Sequence, residues 1–220
     1  MTGASLHLAA EEPPEAAAVA RALAALLRAR DLLRPGRTVV GVAGESGSGK
    51  STTATALARE LAGEGGPGGV LYQDDYFVRP PRTNHEHRVR DIAAVGPHEV
   101  DLARLARHVA DFRAGRDGVV VPAVDYAGNV FRTRTVDFGP ARVLVVEGTY
   151  VLTLPDLDAR VFLEATYHDT RARRVARARD VDSPFVERVL AIEHAIIARQ
   201  AVAADVIVDR EFGVRGRGEP

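Results

Sequence analysis

"TVVGVAGESGSGKS", Thr38 to Ser51, decides the fold. Thr38 to Ala43 is a short apolar run rich in β-branched residues, the pattern of a strand buried on both faces. Gly44 to Ser51 then fits G-x-x-x-x-G-K-[ST] in full, and from Lys50 to Leu61 the sequence turns helical. The glycines let the backbone curl so that successive N–H groups and a helix N-terminus converge on an anion, here the β- and γ-phosphates of a nucleotide. Lys50 is the only lysine among 29 basic residues, the others being arginine. Its compact ammonium on a thin stem fits inside such a loop, where the broad planar fork of arginine does not. The Ser51 hydroxyl is suited to Mg²⁺. Gly44, Glu45, Ser46, Gly47, Ser48, Gly49, Lys50, Ser51 and Thr52 are thus the expected nucleotide-binding residues. The plainer reading is a glycine-rich turn.

Working outward, "GEGGPGG" (Gly63 to Gly69) ends that helix before a second strand, Val70 to Gln73. Upstream, alanine, leucine and arginine recur at helical spacing from Glu11 to Leu33, entered through Pro13-Pro14 and stopped by Pro35-Gly36. Downstream, Val100, Leu102, Leu105, Val109 and Phe112 mark one helix face, and "GVVVP" reads as a short strand. Arg142 to Gly148 and Arg160 to Ala165 are two more buried strands. Helices follow at Asp169 to about Arg179 and at Phe185 to about Ala203, broken at Ser183-Pro184, before a last strand in "DVIVD". Strands alternating with helices predict an α/β fold, a mostly parallel central sheet flanked by helices. The expected domain plan is an N-terminal helical extension over 1–36, a nucleotide-binding domain over 37–210 and a tail over 211–220.

A magnesium site needs carboxylates, and Glu147 stands at the C-terminal end of a buried strand, where open α/β sheets bind ligands. "YQDDYF" puts Asp74 and Asp75 directly after the second strand. Asp74 is the candidate base, able to accept a proton from an attacking hydroxyl, and a candidate neighbour of the metal beside Ser51 and Glu147. Two turn aspartates are the bland alternative. In "DTRARRVARARD", Arg171, Arg174, Arg177 and Arg179 share a helical face that could close over a transferring phosphoryl group, and a solvated basic face is the competing reading. His85 and His87 in "NHEHR" lack a third metal ligand, so this segment is expected to be a loop bordering the acceptor. His194, among apolar neighbours, reads as structural.

The composition narrows the classes. At 220 residues, 46% hydrophobic and 27% charged, the chain has the balance of a folded domain. A formal net charge of −1 supplies no global field for nucleic acid or an anionic membrane, which points to a small anionic ligand held locally. Without cysteine there is no disulfide framework, thiolate metal site or cysteine nucleophile. The N-terminal stretch has neither a signal-peptide pattern nor about 20 consecutive apolar residues, so a cytoplasmic protein is expected.

Phosphate loop, QDD segment, strand-end Glu-Gly and arginine helix, in this order, resemble the uridine kinase and phosphoribulokinase family of P-loop kinases over roughly Thr38 to Asp209. That resemblance implies ATP as donor, Mg²⁺ as cofactor, Asp74 as base, Ser51 and Glu147 at the metal, and an arginine-bearing lid over about 171–185. The departures lie on the acceptor side. The family's P-x-Y-D followed by histidine appears as "PAVDYAGN", with Val124 for the tyrosine and Asn129 near the histidine position. Its D-H-P appears as "VGP" with Val95 in the acidic place, and its R-D-x-x-x-R-G as "RDVDSP". Tyr76, Phe77, Asn84, His85, Arg88, Asp125, Tyr126 and Arg132 are expected near the acceptor. The resulting expectation is a kinase of a nucleoside or nucleoside-like alcohol, the runner-up being a sugar or pantothenate-like acceptor. A nucleotide-driven switch or ATPase is the rival class, although the chain has no N-K-x-D and no L-S-G-G-Q. Oligomeric state stays open, a homo-oligomer included.

Overall fold

β1 (Thr38–Gly44) is buried along its whole length and hydrogen-bonds a parallel strand on each side, β5 (Val143–Gly148) and β6 (Ala159–Leu163). The structure, a computed structural model, describes residues 13–63, 68–176 and 183–219. β2 (Gly68–Tyr72) adds parallel to β5, β7 (Val206–Val208) parallel to β6, and β8 (Val214–Gly216) antiparallel to β7, giving the order β2-β5-β1-β6-β7-β8. The apolar runs thus occupy the sheet centre, as a strand covered on both faces requires. Within them the side chains still alternate. Val39, Leu144, Val146, Phe162 and Ile207 enter one core, while Val40, Val42, Val145, Val161 and Val206 enter the other.

The second core is roofed by α1 (Pro14–Ala29) and α2 (Lys50–Ala62). α1 buries Val19, Ala20, Leu23, Ala24 and Leu27 against the same cluster as β1, so the N-terminal helix is an integral layer of this core. It stops four residues short of the expected Leu33 because Asp31 takes a left-handed φ of 55°. The first core is closed by α4 (Leu102–Arg113), capped by Asp101, whose side chain accepts from Arg104 N–H at 2.8 Å and whose Leu105, Val109 and Phe112 are buried. These layers confirm the expected α/β architecture.

Three elements differ from the sequence expectation. "NHEHR" is helical, within α3 (Pro81–Arg90). Pro81 suits the first turn of a helix, but only Asn84 of α3 is buried, so no apolar stripe announces it. β3 (Val119–Asp125) leaves the main sheet and pairs antiparallel with β4 (Val130–Val136) in a separate ribbon. β8 draws on the expected tail, which becomes an edge strand. Near the C-terminus, α6 (Pro184–Ile197) gives way at Ala198 to a 3₁₀ turn through Ala203. α5 (Arg171–Ala176) precedes it. Arg177 and Arg179 lie outside the described residues, as does the middle of the segment expected as a lid, residues 177–182.

Candidate active site

The five parallel strands β2, β5, β1, β6 and β7 deliver their C-terminal ends to one edge, and the chemistry-bearing residues gather there. From β1 the chain turns through Glu45–Gly49, with Gly47 and Gly49 at φ 76° and 97°, conformations open to glycine, and enters α2 at Lys50. The first turn of α2 carries no side-chain cap, so its backbone N–H groups are left for a ligand, as an anion site needs. Lys50 Nζ donates to the Glu45 carbonyl at 3.1 Å, which holds the ammonium across the loop.

Ser51 Oγ donates to Glu147 Oε1 at 3.0 Å. Glu147 is buried, and burial together with the nearby charges of Asp74 and Asp75 pushes its carboxyl up to about 7 against the opposing pull of Lys50 and the Ser51 hydrogen bond. Five groups from three strand ends therefore share one electrostatic neighbourhood: Lys50, Ser51, Asp74, Asp75 and Glu147. Gly148 makes this packing feasible, since a Cβ there would lie 2.3 Å from Gln73 Cβ. Gln73 in turn accepts from Tyr150 N–H at 2.7 Å and donates to Thr149 Oγ1 at 2.8 Å, locking the end of β2 to the end of β5.

The two aspartates differ. Asp74 is exposed and accepts from the Tyr126 hydroxyl at 2.9 Å through Oδ2. Asp75 is half-buried and accepts from Val124 N–H at 2.8 Å, and desolvation raises its pKa in spite of that bond. Both anchor the β3–β4 ribbon, which overhangs the edge. At the ribbon's tip Asn129 Oδ1 accepts from Arg82 N–H at 2.8 Å and Nδ2 donates to Thr83 Oγ1 at 3.2 Å, docking the tip on the first turn of α3.

The residues expected around the acceptor separate into two groups. Tyr126 stays at the edge beside Asp74, and Phe77 is half-buried against the core. Tyr76 is withdrawn from the edge. It is 2% exposed, its hydroxyl meets His108 Nδ1 at 2.7 Å, and burial pushes its phenol well above the usual range. Asp125 is committed to Gly128 N–H at 2.8 Å and Arg132 Nε at 2.9 Å, so this pair shapes the ribbon turn. His85 stacks edge-on against Phe185, with centroids 5.5 Å apart, joining α3 to α6.

Asn84 and Arg88 belong to a buried cluster that sequence reasoning only half found. Arg88 makes a two-pronged contact with Glu99, Nε to Oε1 at 2.7 Å and Nη2 to Oε2 at 2.8 Å, and reaches Glu193 Oε1 at 2.9 Å. Asn84 Nδ2 donates to Glu99 Oε1 at 2.8 Å. Burial works to raise Glu99, yet Arg88 and Gly96 N–H prevail and hold it low. At Glu193 burial prevails over Arg88 and the carboxyl is raised. Neither glutamate lies in a recognisable motif, so spacing alone gave no signal for them.

Of the arginines, Arg174 is 5% exposed and lies over the phosphate loop: a Cβ at Gly47 would stand 2.9 Å from its Cγ. It donates to the Tyr167 carbonyl at 3.0 Å and stands 3.6 Å from Glu187. Arg171 is on the exposed side of α5. His194, read as structural, in fact reaches the phosphate loop, with Nδ1 2.6 Å from Glu45 Oε1. Among the described residues no helix is long and apolar enough to cross a membrane.

Comparison with known proteins agrees with this geometry. The family described as "Phosphoribulokinase / Uridine kinase family" matches residues 39–212. The bifunctional alpha-galactosidase/sucrose kinase of Mediterraneibacter gnavus is 32% identical over 192 residues, 81% of this chain, which spans only 20% of that larger protein. The uridine kinase of Proteus mirabilis is 29% identical over 187 residues, 79% of this chain and 87% of that one. Among solved structures, a candidate fructose transport system kinase from Silicibacter sp. TM1040 superposes with a TM-score of 0.57 at 27% identity, covering 83% of this chain and 94% of its own. The chain belongs to the phosphoribulokinase / uridine kinase family and is a P-loop phosphotransferase with a hydroxyl group as its acceptor.

Proposed function

We propose that this kinase moves the γ-phosphoryl group of ATP onto a hydroxyl of a small polyhydroxylated acceptor, a sugar or related polyol. The observation that carries the acceptor class is the β3–β4 ribbon. Where a pyrimidine reader places a tyrosine and a histidine, Val124 offers only its backbone N–H, already bound to Asp75, and the Asn129 amide is committed to Arg82 and Thr83. A base would meet no specific side-chain partner there, whereas a hydroxyl can donate to the edge carboxylates. The sucrose kinase and the fructose transport system kinase named among the relatives support this reading. The uridine kinases, together with the partly exposed ring of Tyr126, favour the second reading, a nucleoside acceptor.

In the proposed reaction the loop amides and Lys50 hold the β- and γ-phosphates. The acceptor hydroxyl gives its proton to Asp74, its oxygen attacks the γ-phosphorus, and the bond to the β-phosphate oxygen breaks to release ADP. Arg174, poised over the loop, offsets charge on the transferring group, with Arg171 beside it.

The residues fit Mg²⁺. Ser51 and the buried, crowded Glu147 supply hard oxygen donors, and Asp74 adds charge. Among the described residues no three His, Cys, Asp or Glu side chains form a protein-only cage, and Mg²⁺ characteristically takes one or two carboxylates plus phosphate oxygens and water. When bound with the nucleotide, it would neutralise phosphate charge.

The test is ADP release from ATP and Mg²⁺ with mono- and disaccharides, polyols and ribonucleosides, against a no-acceptor control and Lys50→Ala. Release that requires a sugar or polyol and is lost in Lys50→Ala is expected. Release supported only by ribonucleosides, or by no acceptor at all, overturns the reading.

A further inference from the structure

Both oxygens of the Glu45 carboxylate are occupied, and neither partner belongs to the phosphate loop that contains Glu45. Oε2 accepts from Tyr167 N–H at 2.6 Å, on the segment leading into α5. Oε1 meets His194 Nδ1, also at 2.6 Å, on α6. A carboxylate only accepts hydrogen bonds, so Nδ1 carries the proton toward it. Glu45 is 5% exposed and such a buried carboxylate persists only when fully bonded, as it is here. On the side of α5 the loop is stitched further, since Thr170 Oγ1 donates to the Ser46 carbonyl at 2.8 Å and Thr170 is fully buried.

The residue preceding His194 reaches the other way. Glu193 contacts Arg88, which Glu99 grips with both oxygens, and Arg88 sits on α3, where the ribbon tip also docks. Consecutive side chains of one helix thus grip the phosphate loop and the wall formed by α3. The two grips stand at adjacent positions of α6, the contiguity that a coupling between them would need.

We propose that Glu45 and His194 are positioning residues: their contact sets the phosphate loop against α6, and through Glu193–Arg88 it ties nucleotide binding to the position of α3. The proposal rests on the reading of Gly44–Ser51 as the nucleotide cradle. It predicts that His194 and Glu193, on a helix outside the phosphate loop, control affinity for the nucleotide.

The experiment measures ADP binding by calorimetry in the presence of Mg²⁺, with thermal melting as a control, for wild type, His194→Ala, His194→Asn, Glu193→Gln and the double variant His194→Ala/Glu193→Gln. Asparagine places an N–H donor where Nδ1 stood. Expected are an ADP Kd raised about tenfold in His194→Ala, with a melting midpoint lowered by a few degrees because Glu45 loses a partner but still far above the temperature of the binding measurement, and recovery of both in His194→Asn, Kd to within about threefold and the midpoint to within about 2 °C of wild type. Glu193→Gln should raise Kd about threefold alone and add nothing in the His194→Ala background. Unchanged binding in His194→Ala, no recovery in His194→Asn, or additive effects of the two substitutions overturns the proposal. Lys50→Ala separates the two failures, because ADP binding undiminished in that variant overturns the cradle reading itself.

Discussion

Ser51 Oγ and Glu147 Oε1 share a 3.0 Å hydrogen bond between the first turn of α2 and the end of β5. The register explains the meeting. β1 and β5 run parallel with Val42 opposite Glu147 and Ala43 opposite Gly148, so both strands end at the same level beneath the phosphate loop. Glu147→Gln keeps the shape and removes the charge. Activity with ATP and Mg²⁺ should fall about 10²-fold, while thermal stability without ligand should hold or rise, because a buried and crowded carboxylate is replaced by a neutral amide. Steady-state kinetics and a melting curve check both.

Asp74 and Asp75 are neighbours with different expected consequences. Asp74→Asn should lower kcat about 10²- to 10⁴-fold with little change in melting temperature, since the residue is exposed. Asp75→Asn keeps an acceptor for Val124 N–H and should lose less than about tenfold. Equal losses in the two variants would remove the distinction between base and ribbon anchor.

Tyr126→Phe deletes the 2.9 Å hydrogen bond to Asp74 and leaves the ring. A drop in kcat of about three- to tenfold is expected, equivalent to roughly 1 kcal/mol for one lost hydrogen bond. Acceptor competition assays on the same variant report whether the ring also contacts the acceptor.

Among the described residues, Arg88 is the cation that hydrogen-bonds both Glu99 and Glu193. Arg88→Met leaves both carboxylates without it and should destabilise the fold by about 3–5 kcal/mol. Denaturant titration measures it. The triple change Arg88→Met/Glu99→Gln/Glu193→Gln should recover much of the loss.

His108 gives a pH signature away from the site. Burial lowers its pKa, with Arg104 adding to the effect, and its Nδ1 meets the buried Tyr76 hydroxyl. The unfolded chain therefore takes up this proton at a higher pH than the folded one. Stability from this group is complete above about pH 6.5 and declines as pH falls toward the lowered folded value. His108→Gln should flatten that part of the stability profile, as melting between pH 7 and pH 5 would reveal.

The central sheet was legible because Thr38–Ala43 and Arg142–Gly148 are apolar runs too short for helices, with a phosphate loop after the first. The placement of Lys50, Ser51, Asp74 and Glu147 at one edge was legible for a related reason: each stands at or shortly after the end of a strand, and topology sends those ends to one edge. Tyr76 was misplaced because aromatic identity does not say which way a 3₁₀ turn points, and Gln73–Tyr76 turns it inward. α3 lacks an apolar stripe, and β4 alternates arginine and threonine on a half-exposed ribbon, so neither carried a strong periodic signal. The Glu45–His194 contact spans 149 residues and follows only from the three-dimensional packing of α6.

The β3–β4 ribbon shares no strand pairing with the six-stranded sheet among the described residues. On the proposed function, acceptor choice and phosphoryl chemistry would then fall on two elements joined by side-chain contacts such as those of Asp74 and Asp75 and not by a shared ladder. Mutational drift in the ribbon need not disturb the parallel register under the nucleotide, which gives a physical basis for divergent acceptors within one lineage. It also offers a route for engineering, in which a ribbon transplanted from a relative redirects the enzyme to a new alcohol while the catalytic edge stays intact.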